Sequence, residues 1–265
     1  MKIIISPAKK MRIDPDTMAA CGKPVFLAQT GRLLSWLKGL SAAELQRLWA
    51  CNDRIASQNL ERLSQMEPER ALTPALLSYD GIQYQYMAPN IFSREQWDYV
   101  QSHLRILSGF YGLLRPLDPV EPYRLEMQAK GAPEGCDSLY AFWGDSICRE
   151  LLRQEEGDPL ILNLASKEYS RCVSAWLKPP ARMITCVFGE EKDGKVIQKG
   201  TMAKMARGEM VRFLAERRAT DLGEIRTFDR LGYRYAPEYS KDGEEVFLNS
   251  AGEHLQSCAP SQKAL

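Results

Sequence analysis

Residues 2–10, KIIISPAKK, place three consecutive isoleucines directly before Ser6-Pro7-Ala8-Lys9. A β-branched run that stops at Ser-Pro reads as a strand followed by a turn. Three chemistries fit that turn. Ser6 and Lys9 have the S-x-x-K spacing of a hydrolase nucleophile and its base. Ser6 could instead cap a helical turn with Pro7 at its first position, where a missing N–H costs nothing. In the third reading, free backbone N–H groups at a strand end, next to Lys9 and Lys10, suit a phosphate or carboxylate. The hydrolase reading is the weakest, because Ser35-Trp36-Leu37-Lys38 repeats the spacing inside an amphipathic helical pattern. Of the partner elements it needs, Ser57-Gln58-Asn59 supplies one, but Lys199-Gly200-Thr201 has its residues in the wrong order.

The chain has 265 residues, 45% apolar and 26% charged, with no repeat or low-complexity tract, which is an ordinary folded composition. No apolar run is long enough to cross a bilayer and none resembles a signal peptide, so the expectation is a cytoplasmic protein without membrane contact. Seven cysteines, with no C-x-x-C pair, fit a reducing compartment better than a disulfide framework. Only two histidines are present, His103 and His254, so no metal centre or other cofactor is expected. With 35 basic and 34 acidic residues, a polyanion would have to be held by a local basic groove rather than by global charge.

Helical spacing is expected over residues 30–40, ended by Gly39, and again over 53–66. Ser41 with Glu44 and Ser93 with Gln96 read as capping boxes. From Leu104, two glycines and three prolines make LRILSGFYGLLRPLDPVEPYRLEM (104–127) read as a long punctuated loop. A helix is expected over 138–154, a buried strand at PLILNLAS, and a hairpin turned at Asp193-Gly194. A helix over 201–218 follows, then two short aromatic strands near 233–235 and 246–248. No linker divides the chain, so residues 1–249 read as one mixed α and β domain and 250–265 as a loose tail.

Beyond the opening stretch, three segments carry candidate binding residues. Gly109-Phe110-Tyr111-Gly112 is either a tight turn packed in the core or a hairpin offering N–H groups to a phosphate. The arginines Arg105, Arg115 and Arg124 crowd around it with Tyr111 and Tyr123. On helix 201–218, Met202, Ala206, Met210, Phe213 and Leu214 gather on one side and Lys204, Arg207, Arg212 and Arg218 on the other. That second side is a solvated face or a phosphate-facing stripe. In NLASKEY, the cluster Asn163, Ser166, Lys167 and Glu168 follows a strand, where α/β proteins commonly place ligands.

Taken together, ISPAK (5–9), residues 104–127, LYAFWGD (139–145), LNLASKEY (162–169) and AKMARGEMVRF (203–213) resemble, in that order, the YaaA family of bacterial peroxide-stress proteins. The resemblance spans most of the chain, up to about residue 248. It implies a cytoplasmic protein of the hydrogen peroxide and oxidative-stress response, linked to limiting free iron and the DNA damage that iron and peroxide cause. It also implies an α+β mixed single domain of unusual topology with a helix-hairpin-helix-like element and a positively charged cleft. Members look like DNA-binding proteins, able to bind duplex and branched DNA, and the leading expectation here is DNA binding mainly through phosphate contacts, with an enzyme as the alternative. Carried over by position, Gly109, Tyr111, Gly112, Arg115 and Arg124 belong to that element or cleft, and Ser6, Lys9, Lys10, Lys204 and Arg207 line it. Two departures stand out: Lys10 replaces a usual threonine, and G-x-x-G replaces the G-x-G of a standard hairpin motif. The rival is an enzyme acting on a nucleotide or other small phosphorylated substrate, with Lys9, Tyr111, Arg124 and Asn163 converging on a closed pocket. A deep pocket around Ser6 and Lys9 favours the rival; a groove as wide as a duplex favours DNA.

Overall fold

Ile3, Ile4 and Ile5 are completely buried, and the strand they form lies inside a sheet, with a parallel neighbour on each side. A computed structural model describes residues 1–153 and 157–249; the expected tail at 250–265 lies outside them. In chain order, β1 (Lys2–Ile5) is followed by α1 (Leu27–Lys38), α2 (Ala42–Trp49), α3 (Asp53–Gln65), α4 (Ile82–Met87) and α5 (Arg94–His103). Then come β2 (Leu104–Ser108), β3 (Gly112–Leu114), α6 (Leu139–Trp143), α7 (Ser146–Leu152), β4 (Leu160–Leu164) and α8 (Lys167–Ser174). The remaining elements are β5 (Arg182–Lys192), β6 (Lys195–Ile197), α9 (Gly200–Arg217), α10 (Leu222–Arg226), β7 (Tyr233–Tyr235) and β8 (Glu244–Asn249).

The sheet order is β7-β8-β5-β4-β1-β2-β3, with β6 paired to β5. Strands β8, β5, β4, β1 and β2 run parallel, while β7, β3 and β6 are antiparallel to their neighbours. The mixed α and β expectation holds, and the strands assemble into a single, mostly parallel sheet. Parallel strands are covered on both faces, which is why Ile3–Ile5 of β1 read as an unbroken apolar run and β4 is interrupted only by the buried Asn163. Following the chain, β2 lies on one side of β1 and β4 on the other. The order along the sheet therefore reverses at β1, and a crevice opens beyond its carboxyl end.

Local signals were reliable where a side chain satisfies backbone groups. Both capping boxes form: Ser41 Oγ accepts from Glu44 N while Glu44 accepts from Ser41 N, and Ser93 pairs with Gln96 in the same way. Asp193 and Gly194, both at positive φ (52° and 74°), turn the β5–β6 hairpin. The helix expected over 138–154 is instead two, α6 and α7, because Gly144 takes φ 49° between them; residue 154 lies outside the described residues.

The reading of residues 104–127 as a long loop is corrected. Leu104, Ile106 and Leu107 are fully buried as β2, and Gly109–Gly112 turns directly back into β3. The G-x-x-G therefore joins two strands, not two helices. Its glycines serve packing: a Cβ on Gly109 would lie 2.5 Å from Leu125 O, and one on Gly112, at φ +71°, would lie 2.7 Å from the Trp143 ring. The turn's N–H groups are also used internally, since Ser108 Oγ accepts from Phe110 N (3.1 Å) and Tyr111 N (2.8 Å).

Candidate functional site

The carboxyl ends of β1 and β4 are clasped by two hydroxyls. Ser6 Oγ accepts from Ser166 N at 2.8 Å and donates to Ser166 Oγ at 3.2 Å, and Tyr84 donates to Ser6 O at 2.9 Å. No helix starts at Pro7; the chain instead makes a short antiparallel pairing of Lys10–Met11 with Tyr79–Asp80. The helical-turn cap expected at Ser6 is thus replaced by a strand-to-strand clasp. Because β1 and β4 end side by side, these residues open onto a cleft of about 420 Å³.

Five cations and three carboxylates line that cleft. From the turn after β1 come Lys9 and Lys10, each already paired: Lys9 Nζ lies 2.8 Å from Glu126 and Lys10 Nζ 2.5 Å from Asp80. The hydrogen bond from Lys10 holds the Asp80 carboxyl below its usual range. Arg124 contacts Glu126 at 3.5 Å and donates to Trp49 O, so it too is compensated. Glu168, at the start of α8, accepts from Gln128 N at 3.2 Å, and burial pushes its carboxyl up.

The other two cations come from α9. Lys204 is exposed at the cleft, and Arg207 is largely buried; neither has a hydrogen bond or ion pair among the described residues. Burial lowers the Arg207 pKa, as it must for a guanidinium taken out of water without a counterion. Gln83, on α4, is 7% exposed, and its Nε2 is likewise a buried donor without a partner. Both side chains line the cleft, and Gly208 sets how closely their helices approach. A Cβ there would lie 2.1 Å from Gln83 O, so only glycine lets α9 and α4 meet backbone to backbone.

The cleft gathers Ser6, Lys9, Lys10, Tyr123, Arg124, Ser166, Glu168, Lys204 and Arg207 from the residues singled out in the sequence. The others lie elsewhere. Tyr111 is completely buried, and its hydroxyl accepts from Glu121 N at 3.1 Å. Asn163 is buried in β4, where it donates to Thr185 and accepts from Ala165 N. The pocket composed of Lys9, Tyr111, Arg124 and Asn163 is therefore not formed as a set. Arg115 sits beside Lys2, where β1 begins, and binds the buried Asp118 through its N, Nε and Nη2. Its guanidinium neutralises that carboxylate. The basic stripe on α9 also breaks up: Arg212 pairs with Glu216, and Arg218 closes the helix in the left-handed conformation.

Gln83, Tyr84, Glu126 and Tyr169 are among the other residues that line the cleft. Ser166 and Glu168 were visible as the polar cluster following a strand. Gln83 gave no signal, because nothing in its neighbourhood distinguishes it from a surface glutamine.

Comparison with known proteins fits this arrangement into a family. The family model of the peroxide stress protein YaaA matches residues 1–239. The chain belongs to the YaaA family. A UPF0246 protein of Lachnoclostridium phytofermentans is 52% identical over 248 residues, 94% of this chain and 96% of the relative. Relatives from Desulfitobacterium hafniense (50% over 253 residues, 96% and 100%) and Agathobacter rectalis (49% over 247 residues, 93% and 98%) carry the same description. The match takes in every strand of the sheet except β8 and every residue that lines the cleft. Among the described residues, no helix is long and apolar enough to cross a membrane.

Proposed function

We propose that this YaaA-family protein acts in the peroxide-stress response by binding a phosphate-bearing ligand in the cleft beyond β1 and β4. The observation that carries this reading is Arg207, whose Nε is buried and which has no carboxylate partner among the described residues. An isolated buried charge is costly, and natural proteins pair it with a counterion. Lys204 beside it and Gln83 opposite add donors suited to phosphate oxygens. A small phosphorylated molecule fits this cleft best, because the free donors lie in a concavity of about 420 Å³ at the carboxyl ends of parallel strands.

The second reading is DNA, duplex or branched, held through its phosphates. It is favoured by Lys9 and Lys10, whose side chains are 65% and 79% exposed beside the cleft. One experiment tests both. Inorganic phosphate titrated calorimetrically into the full chain should saturate one site, and Arg207→Ala should weaken it at least about tenfold. The same phosphate should displace a fluorescent branched duplex if DNA uses this cleft. Absence of any phosphate binding overturns the proposal. A duplex that binds yet resists displacement removes DNA from this site.

A further inference from the structure

We infer that the cleft selects a terminal phosphate monoester, carried by a small sugar phosphate or nucleotide or by a strand end, over the internal diesters of a nucleic-acid backbone. This rests on the phosphate reading above and narrows it. Two features, independent of each other, point the same way.

The first is the placement of the free donors. Gln83 and Arg207 line the cleft from helices that touch at Gly208, and Gln83 Nε2 and Arg207 Nε are buried donors without a partner among the described residues. A diester carries a chain on both sides and offers only two free oxygens. To reach those buried donors it would have to enter and leave through the same opening. A monoester offers three oxygens and a single substituent, which can point outward past Lys204. Near neutral pH it also carries a charge close to −2, matching Arg207 and Lys204, the two lining cations without ion-pair partners among the described residues.

The second is the charge balance of the remaining wall. Asp80, Glu126 and Glu168 line the same cleft. Lys9, Lys10 and Arg124 balance these three carboxylates, so a backbone crossing the cleft would find no further net positive charge for its other phosphates. A sugar meets the same oxygens as hydrogen-bond acceptors. Glu126, though bound to Lys9 and Arg124, still has lone pairs for a hydroxyl, since a carboxylate has about four acceptor sites. The cleft thus offers two unpaired cations, among the described residues, beside a charge-balanced polar wall, which suits a single phosphate attached to a polyol.

The test is calorimetry on the full chain with inorganic phosphate, ribose 5-phosphate and dimethyl phosphate, followed by a duplex bearing either a 5′-phosphate or a 5′-hydroxyl. Ribose 5-phosphate should bind at least about tenfold more tightly than dimethyl phosphate, since the diester leaves buried donors unpaired. Gln83→Ala should weaken ribose 5-phosphate about tenfold, and Arg207→Lys should also weaken it, because the planar fork is lost while the charge remains. Thermal melting of each variant separates misfolding from lost contacts. Monoester affinity should fall as pH drops through about 6, where the dianion takes up a proton. A 5′-phosphate duplex binding more tightly than ribose 5-phosphate makes the strand end the source; the reverse makes it a small molecule. Equal binding of dimethyl phosphate, or of the 5′-hydroxyl duplex, through Arg207 overturns the selectivity while leaving the phosphate reading in place. If no phosphate compound binds, both fall.

Discussion

Arg207→Met should lower phosphate affinity by about a hundredfold or more and yet leave the unliganded protein as stable as the parent or more so. The two effects have one cause. Arg207 is partly removed from water, with its Nε buried, and has no carboxylate partner among the described residues. Methionine keeps the aliphatic stem and removes the charge, and replacing buried charge by apolar volume is commonly neutral or stabilising by about 1–4 kcal/mol. The ligand loses its charge-assisted hydrogen bonds, each typically worth about 1.5–3 kcal/mol, together with the Coulomb attraction. Urea unfolding with and without phosphate measures both quantities on one sample. A variant that unfolds several kcal/mol more easily without ligand would mean that Arg207 is a structural residue, and the case for an anion site would collapse.

Gly208→Ala should destabilise the fold by about 3 kcal/mol, the upper part of the range for overpacking a well-filled contact. The added carbon would lie 2.1 Å from Gln83 O and 3.1 Å from Met87 N, and these are backbone atoms that cannot rotate aside. The helices α4 and α9 must then separate, which also spreads Gln83 from Arg207, so phosphate affinity should fall with stability. Gly31→Ala provides the contrast. A Cβ at Gly31, within α1, meets nothing within 4 Å, and alanine there should stabilise by about 0.5–1 kcal/mol. Denaturation midpoints of the two variants should move in opposite directions. If Gly208→Ala melts with the parent, the close helix contact is not what positions the cleft.

How much of this could be read from the sequence depended on whether a residue's role was set locally. Ser41, Ser93 and the Asp193-Gly194 turn act on backbone within a few residues, and the sequence reading of each held. The Ser6-Pro7-Ala8-Lys9 turn was legible as a strand end delivering Lys9 to a polar cleft, although Ser6 uses its hydroxyl across the sheet, on Ser166, instead of along its own chain. The stretch around Gly109 was misread because glycines and prolines punctuate loops and tight strand turns alike. Only the closeness of Leu125 O and Trp143 shows why these glycines are needed. Arginines were over-counted for the same reason. Spacing cannot distinguish Arg115, committed to buried Asp118, from Arg207, which has no carboxylate, because the partner is chosen by tertiary packing. Gln83 was invisible, since an unsatisfied amide exists only after α4 and α9 have docked.

The ion pairs Lys9–Glu126 and Lys10–Asp80 bear on how this cleft would respond to the medium around it. A polyanion binding free surface lysines expels mobile cations from its own atmosphere, and its affinity falls steeply with added salt. Here two of the lysines already hold counterions fixed to the chain, leaving only Lys204 and Arg207 to be neutralised by a guest. The slope of log K against log salt should then stay within about −2, the value for roughly two neutralised phosphates. A site built this way would keep its ligand through changes in ionic strength that strip proteins from a nucleic-acid backbone.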